Sequence, residues 1–263
     1  MRNWSEAVPV VRLEGITKFF QIERERATAY RSVQQRLAGL FHSRDTFYAL
    51  RDIDLSVSVG EKIGIIGDNG SGKTTLLKII AGLYTPSSGS LCIRGEMTLL
   101  AGLGIGMIAD LTVRENVFLY GAVYGMSREQ VKDSFCDIIE WAELEHFEDA
   151  RLKTLSSGMK TRLAFSVTRH INKEIYLWDE ALTAGDKHFQ IKCQSVFLEH
   201  RRSAKTFLMT THDLSFVRNF CDKALWLHKG RRMGFGDPER IVEQYQSQTR
   251  IGTDEPKVLA RVL

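Results

Sequence analysis

The sequence Gly67-Asp68-Asn69-Gly70-Ser71-Gly72-Lys73-Thr74 matches the P-loop pattern G-x-x-x-x-G-K-[ST] at every fixed position. The segment before it, Lys62-Ile63-Gly64-Ile65-Ile66, is typical of a short buried strand, and residues 75–81 after it are typical of the first turns of a helix. Strand, glycine-rich loop and helix are the order that a phosphate-binding loop requires. We therefore predict such a loop here, and not an ordinary Gly-rich turn.

The residue types in this loop suit the binding of an anion. Glycines let the backbone adopt left-handed angles, so that consecutive amide groups can face one phosphate, and the N-terminus of the following helix adds a partial positive charge. We predict that Lys73 reaches the β- and γ-phosphates of a nucleotide and that the Thr74 hydroxyl holds Mg²⁺. The predicted phosphate-binding set is Gly67, Asp68, Asn69, Gly70, Ser71, Gly72, Lys73, Thr74 and Thr75.

The composition excludes several classes of protein. The 263 residues are 43% hydrophobic, which is enough for one large α/β domain or two small ones, and 36 basic against 32 acidic residues leave a net charge of +4 that does not imply a nucleic-acid partner. No run of about eighteen apolar residues is present, and the first residues lack the apolar core of a signal peptide. Four cysteines lie far apart, which argues against a zinc site or a disulfide framework: Cys92, Cys136, Cys193 and Cys221.

The arrangement of apolar segments predicts an α/β fold. Pro9–Ile16 alternates like an edge strand, and Asp52–Gly60 alternates more strictly, so the two predict an antiparallel β layer. Behind the P-loop, strands and helices then repeat as β-α units. These units predict a P-loop NTPase core with a mostly parallel sheet and a ligand at the carboxyl ends of its strands. The predicted segments are strands 174–178, 206–211 and 223–228 and helices 188–202 and 214–221.

We predict one nucleotide-binding domain over residues 1–247 and a weakly ordered tail over 248–263. A helix-prone, charged insertion occupies about residues 21–45, and its apolar stripe fits a helix packed on its own domain as well as one that faces a partner or a membrane. A helical subdomain is expected over about residues 96–165. This range includes a glycine-rich loop at 101–108 and capping boxes at Thr112 and Ser127.

Two acidic residues follow the apolar strand Glu174-Ile175-Tyr176-Leu177-Trp178. A carboxylate at the carboxyl end of a strand can hold Mg²⁺ beside a P-loop, and we assign this role to Asp179. Glu180 is then placed to act as the general base that accepts a proton from an attacking water. These two residues complete a predicted nucleotide-hydrolysing site.

A third motif, Leu155-Ser156-Ser157-Gly158-Met159 followed by Lys160-Thr161-Arg162-Leu163-Ala164, predicts a second anion site at a helix N-terminus. With the P-loop and the strand acids in this order, nearly the whole chain resembles the ATP-binding subunits of ABC transporters. The resemblance implies a homodimer that holds two ATP molecules with Mg²⁺. In it, Ser156, Ser157 and Gly158 of one subunit face the γ-phosphate of ATP bound to the other.

Other family positions are carried over from the same resemblance. Asp186, in Ala184-Gly185-Asp186, occupies the D-loop and would act across the dimer. His212 occupies the switch position that contacts the γ-phosphate. The family also stacks an aromatic ring on adenine, for which we prefer Tyr48, with Phe20 as the competing candidate.

The chain departs from the usual family pattern in three places. The signature has Ser-Ser-Gly-Met in place of Ser-Gly-Gly-Gln, Ala181 replaces the proline after the catalytic glutamate, and no glutamine occurs between Gln35 and Gln130 to serve as the Q-loop residue. Four features resemble the polysaccharide exporters: the signature Ser-Ser-Gly-Met-Lys-x-Arg-Leu-Ala-Phe-Ser, the Asp-Glu-Ala-Leu segment with Gly185-Asp186, the helical insertion before the P-loop strand, and Leu111-Thr112-Val113-Arg114-Glu115-Asn116. That branch moves O-antigen, capsule or teichoic-acid chains.

This resemblance implies the ATP-hydrolysing subunit of an exporter for lipid-linked polysaccharide, with O-antigen as the preferred cargo. We expect it to lie on the cytoplasmic face of the cell membrane, to bind a separate transmembrane permease in a groove beside residues 102–106, and to bind no nucleic acid. Only about thirty residues follow Gly230, so we expect no carbohydrate-binding domain. The alternatives are an ABC transporter ATPase for a peptide, drug or ion, and a soluble ABC ATPase that acts on nucleic acid.

Overall fold

The computed structural model describes residues 9–22, 45–180 and 187–259. Within these residues the strands form one three-stranded and one six-stranded sheet, with helices packed around them, which confirms the predicted α/β fold class. The strands are β1 (Val11–Ile22), β2 (Asp45–Val57), β3 (Lys62–Ile66), β4 (Ser88–Ile93), β5 (Met97–Ala101), β6 (Ile175–Asp179), β7 (Thr206–Thr210), β8 (Lys223–His228) and β9 (Arg231–Gly236). The helices are α1 (Lys73–Ile80), α2 (Val113–Val123), α3 (Arg128–Ala142), α4 (Ser157–Thr168), α5 (Lys187–His200), α6 (Leu214–Phe220) and α7 (Pro238–Leu259).

The six-stranded sheet has the order β5-β6-β7-β3-β8-β9, and all its pairs are parallel except β8 with β9. Every residue of β3 is buried, which is why this strand is an uninterrupted apolar segment apart from Lys62 and Gly64. Because β3, β6 and β7 are parallel neighbours, their carboxyl ends meet at one edge of the sheet. The P-loop, Asp179 and the residues after β7 therefore lie at the same edge.

The three-stranded sheet is antiparallel, as predicted, and has the order β2-β1-β4. The prediction that Pro9–Ile16 forms an edge strand was wrong, because β1 lies in the centre and pairs with β2 on one side and β4 on the other. Alternation of apolar and polar residues reports only that one face of a strand is buried. It carries no information about how many neighbours the strand has.

The segment Met97–Ala101 is a strand, although it lies within the range predicted for the helical subdomain, about residues 96–165. It pairs in parallel with β6 at the end of the six-stranded sheet. A short apolar segment fits a buried strand and a buried helix equally well, so periodicity could not separate them. The first residues of the range predicted for the helical subdomain therefore belong to the six-stranded sheet.

Two predicted boundaries fall within elements of the structure. Strand β1 continues to Ile22 and β2 begins at Asp45, so both limits of the predicted insertion lie in strands, while residues 23–44 are outside the described part of the chain. Helix α7 continues to Leu259 and so includes residues of the predicted tail at 248–263.

The helices between β5 and β6 begin where the sequence predicted them to begin. The side chain of Thr112 accepts a hydrogen bond from the Glu115 amide, and that of Ser127 accepts one from the Gln130 amide; in both cases the reciprocal bond is also formed. Both predicted capping boxes are confirmed, and each satisfies amides that a helix leaves unpaired. No helix in the described ranges combines the length and the apolar character needed to cross a bilayer.

Candidate functional site

The P-loop connects β3 to α1, which begins at Lys73 directly after Gly72. At Gly67 (φ 145°) an added Cβ would stand 2.2 Å from the carbonyl oxygen of Leu227, and at Gly72 (φ 107°) it would stand 2.6 Å from that of Ala49. Both glycines are required, because the backbones of β8 and β2 leave no room for a Cβ atom and because residues with a side chain rarely adopt these φ angles.

The Lys73 ammonium lies inside the loop, and the residue is only 8% exposed. Its Nζ atom donates hydrogen bonds to the carbonyl oxygens of Gly67, at 2.7 Å, and Asp68, at 3.0 Å. Burial lowers the pKa of Lys73 below its ordinary value, while the carboxylates of Asp68, Asp179 and Glu180 oppose this shift. The loop thus holds the Lys73 ammonium where phosphate oxygens could accept hydrogen bonds from it.

The two predicted magnesium ligands are in contact. Thr74 Oγ1 donates a hydrogen bond of 3.2 Å to Asp179 Oδ1, so the first turn of α1 and the end of β6 meet. Thr210 Oγ1, at the end of β7, donates a second bond of 2.7 Å to the same carboxylate oxygen. One oxygen atom of Asp179 therefore joins the P-loop helix to two neighbouring strands.

Glu180 directly follows β6 and has a left-handed backbone, with φ 57°. Its amide donates a hydrogen bond of 2.7 Å to Thr210 Oγ1. A cavity of about 380 Å³ lies beside Asp179 and Glu180 and is lined largely by apolar side chains, among them Phe165 and Trp178. The structure therefore places the proposed base at the wall of a space that could admit a reactant.

The site fits a nucleoside triphosphate with a divalent cation. Within the described residues, the buried Oγ atom of Ser71 has no hydrogen-bond partner, and an added Cβ at Gly70 would meet no atom within 4 Å, so one face of the loop is open. The hydroxyl of Thr74 and the carboxylate of Asp179 are hard oxygen donors, and Mg²⁺ is commonly held by one or two such groups together with substrate phosphates.

The loop at residues 101–108, which lacks the usual glutamine, is hydrogen-bonded to helix α2. The amide of Gly104 donates a hydrogen bond of 3.0 Å to the Tyr120 hydroxyl, and the Ile108 amide donates one of 2.7 Å to Asn116 Oδ1. Leu103 and Ile105 of this loop line the cavity beside the carboxylates. No polar side chain occurs at positions 102–106, so no side chain of this segment could take over the hydrogen bonds of the missing glutamine.

The remaining predicted residues lie in different surroundings. His212 is exposed just beyond β7, at the same edge of the sheet as Asp179. Ser156 caps α4 by accepting a hydrogen bond of 3.2 Å from the Met159 amide, and Ser156 and Ser157 are both exposed. Asp186 lies outside the described residues.

The two candidates for stacking on adenine differ in what their rings contact. Tyr48 precedes Ala49, whose carbonyl oxygen borders Gly72 of the P-loop, and the Arg51 guanidinium lies 4.4 Å from the centre of the Tyr48 ring. The ring of Phe20 packs against that of Tyr84, with 5.8 Å between their centres. Tyr48 is therefore closer along the chain to a residue that contacts the loop, and it remains our prediction.

Sequence reasoning missed two residues at this site. The sequence did offer a signal for Thr210. It is a hydroxyl residue at the end of an apolar strand, two positions before His212, and ligands bind at the carboxyl ends of such strands. Tyr245 offered no such signal, although its hydroxyl donates a 3.0 Å hydrogen bond to Asp68 Oδ1. Burial and this bond raise the pKa of Tyr245, so α7 contacts the P-loop through a neutral hydroxyl.

Comparison with protein families shows that residues 50–183 match the model described as ABC transporter. Two similar relatives are the O-antigen export system ATP-binding protein RfbB of Myxococcus xanthus, 39% identical over 92% of the chain, and the teichoic acids export ATP-binding protein TagH of Bacillus anthracis, 40% identical over 89%. The chain covers only 56% and 42% of the lengths of these two proteins. The ABC transporter protein AbcA of Aeromonas salmonicida is 37% identical over 94% of the chain, and 79% of AbcA is covered.

Solved structures share the fold. A chain described as the ATP-binding subunit of an ABC transporter aligns with a TM-score of 0.69 and 20% identity, covering 90% of this chain and 93% of that one. The ATP-binding cassette MJ0796, in a dimeric post-hydrolysis state bound to ADP and phosphate, aligns with a TM-score of 0.67 and 25% identity, covering 87% of this chain and 98% of that one.

Proposed function

This chain belongs to the ABC transporter family, and from that premise we propose that it is the ATP-hydrolysing subunit of an exporter for lipid-linked polysaccharide, with O-antigen as the preferred cargo. The observation that carries the ATPase activity is the single Asp179 oxygen that joins Thr74 of the P-loop helix to Thr210 of β7. Support for the cargo comes from the relatives, which are named for the export of O-antigen and teichoic acids.

In the proposed reaction, the P-loop amides and Lys73 bind the phosphates of ATP, and Thr74 and Asp179 hold Mg²⁺. Mg²⁺ held by these two residues would supply positive charge against the phosphate oxygens. Glu180 accepts a proton from the attacking water, whose oxygen forms a bond to the γ-phosphorus. The bond between that phosphorus and the bridging oxygen breaks, which releases ADP and phosphate.

Two copies of the chain are proposed to enclose two ATP molecules. The exposed N-terminus of α4 in one copy, with Ser156, Ser157 and Gly158, would complete the phosphate site of the other, where His212 contacts the γ-phosphate and Asp186 acts across the interface. The dimeric, ADP-bound form of MJ0796 supports this arrangement. Tighter binding of ATP to the closed dimer then drives the conformational change of the partner.

The proposed transport partner is a separate transmembrane permease at the cytoplasmic face of the cell membrane. It would contact the loop after β5 and the helical subdomain. The buried hydroxyl of Tyr120 and the side-chain oxygen of Asn116 hydrogen-bond this loop to α2. A force on the helices would therefore be transmitted to residues beside Asp179. The lipid-linked polysaccharide itself would be handled mainly by the permease.

Deletion of the gene in its native cell tests the cargo. We expect polysaccharide to disappear from the cell surface and its lipid-linked form to accumulate inside, and we expect the wild-type gene to reverse both effects. Complementation with Glu180→Gln should fail although the protein is made. Unchanged surface polysaccharide in the deletion strain would contradict the cargo, and lack of Mg²⁺-dependent ATP hydrolysis by the purified protein with its permease would contradict the enzymatic activity.

We predict that Tyr48→Ala weakens the binding of ATP about tenfold, because stacking of a base on an aromatic ring contributes about 1–3 kcal/mol. Tyr48→Phe keeps the ring and should bind ATP like the wild type. Titration with a fluorescent ATP analogue measures the dissociation constants. Phe20→Ala is the matched comparison, and a larger loss in Phe20→Ala than in Tyr48→Ala would transfer the role to Phe20.

A further inference from the structure

We propose that Thr210 is a positioning residue that holds Asp179 and Glu180 in their working arrangement through a single hydroxyl group. This inference rests on the proposed ATP hydrolysis and assigns a role within the same site. Thr210 would touch neither the nucleotide nor the metal. It would act through the carboxylate that binds the metal and through the backbone of the general base.

The hydroxyl of Thr210 donates one hydrogen bond and accepts another. It donates to Asp179 Oδ1 at 2.7 Å and accepts from the Glu180 amide at 2.7 Å. Thr210 is 0% exposed, so its own hydroxyl is shielded from water in both bonds. Loss of the hydroxyl would therefore remove a donor from the Asp179 carboxylate and an acceptor from the Glu180 amide.

The bond to the Glu180 amide lies at a strained point of the backbone. Glu180 has φ 57°, an angle that residues with a side chain seldom adopt unless neighbouring contacts hold them there. This conformation occurs directly after β6 and sets the direction of the Glu180 side chain. The Thr210 hydroxyl is a direct contact that stabilises it.

Asp179 accepts two hydrogen bonds, and only the one from Thr210 comes from a residue that is not itself a proposed metal ligand. Thr74 Oγ1 also donates to Asp179 Oδ1, at 3.2 Å, but Thr74 is itself a proposed metal ligand. The shorter bond comes from Thr210, which has no such role. Both of these bonds end on Oδ1, and within the described residues Oδ2 has no hydrogen bond, so its lone pairs are available to a metal ion.

Thr210→Val removes the hydroxyl but keeps the shape of the side chain. We expect kcat for ATP hydrolysis to fall about tenfold or more, and we expect the Mg²⁺ concentration that half-saturates binding of a fluorescent ATP analogue to rise about tenfold. Affinity for the analogue in EDTA should change less than about twofold, because the P-loop is untouched. Thr210→Ser keeps the hydroxyl and should restore both wild-type values.

Thr206→Val is the matched control. Thr206 lies at the opposite end of β7, is 1% exposed and accepts a hydrogen bond from the Gly60 amide at 2.9 Å. If the hydroxyl of Thr210 served only the stability of the strand, both variants would lower the melting temperature and neither would change the dependence on Mg²⁺. That result, or a Thr210→Ser protein as defective as Thr210→Val, would overturn the inference.

The outcomes separate this inference from the proposed function. If the wild-type protein hydrolyses ATP and Thr210→Val equals it in kcat and in Mg²⁺ dependence, only the role of Thr210 fails. If the wild-type protein does not hydrolyse ATP but Thr210→Val still needs more Mg²⁺ to bind the analogue, the ATPase fails and the positioning of Asp179 stands. Should Thr210→Val not fold, Thr210→Ala removes the same hydroxyl and is judged by the same measurements.

Discussion

Glu180→Gln is expected to lower the rate of ATP hydrolysis at least about a hundredfold while leaving ATP bound. The amide has nearly the shape of the carboxylate but cannot accept the proton of the attacking water. The backbone bond from Glu180 to Thr210 does not involve the side chain, so the site should keep its form. Steady-state release of phosphate measures the rate, and titration with a fluorescent ATP analogue measures the affinity.

The same variant should accumulate as a dimer, because ATP that is not hydrolysed keeps the two subunits closed. Light scattering after gel filtration in ATP and Mg²⁺ would show the doubled mass, and removal of the nucleotide should return the monomer. Glu199→Gln, an exposed change on α5, provides the control for loss of one negative charge. Normal hydrolysis by Glu180→Gln would show that another group is the base.

Lys73→Ala is expected to weaken ATP binding about a hundredfold or more, because hydrogen bonds from a charged donor contribute about 1.5–3 kcal/mol and Lys73 is the cation held within the loop. The variant should also leave the carbonyl oxygens of Gly67 and Asp68 without their present donor. Isothermal calorimetry with ATP and Mg²⁺ measures the loss.

Folding is not expected to account for this loss. The variant loses the hydrogen bonds to Gly67 and Asp68, but burial also lowers the pKa of Lys73, so relief of the desolvation of its charge offsets part of that loss. The melting temperature without nucleotide should therefore stay within a few degrees of the wild-type value, and Lys132→Ala, an exposed change on α3, controls for the altered charge. Wild-type affinity in Lys73→Ala would contradict the assignment of the P-loop.

The elements that sequence reasoning located correctly are those specified by neighbouring residues. The P-loop, its flanking strand and helix, and the two capping boxes each depend on contacts within a few positions along the chain. Assignments that depended on the environment of a segment were less successful. Met97–Ala101 was assigned to the helical subdomain, and β1 was placed at a sheet edge, because apolar content does not reveal which neighbours a strand has.

The sequence by itself determined the residue types of the site: a P-loop, two acids after an apolar strand, and a Ser-Ser-Gly helix start. Only the tertiary structure decided how they meet. Thr74 and Thr210 lie 105 and 31 positions from Asp179, yet they bond to the same oxygen because β7 is inserted between β3 and β6. Tyr245 reaches Asp68 across 177 positions. Such contacts follow from the order of strands and the packing of helices, which local periodicity does not encode.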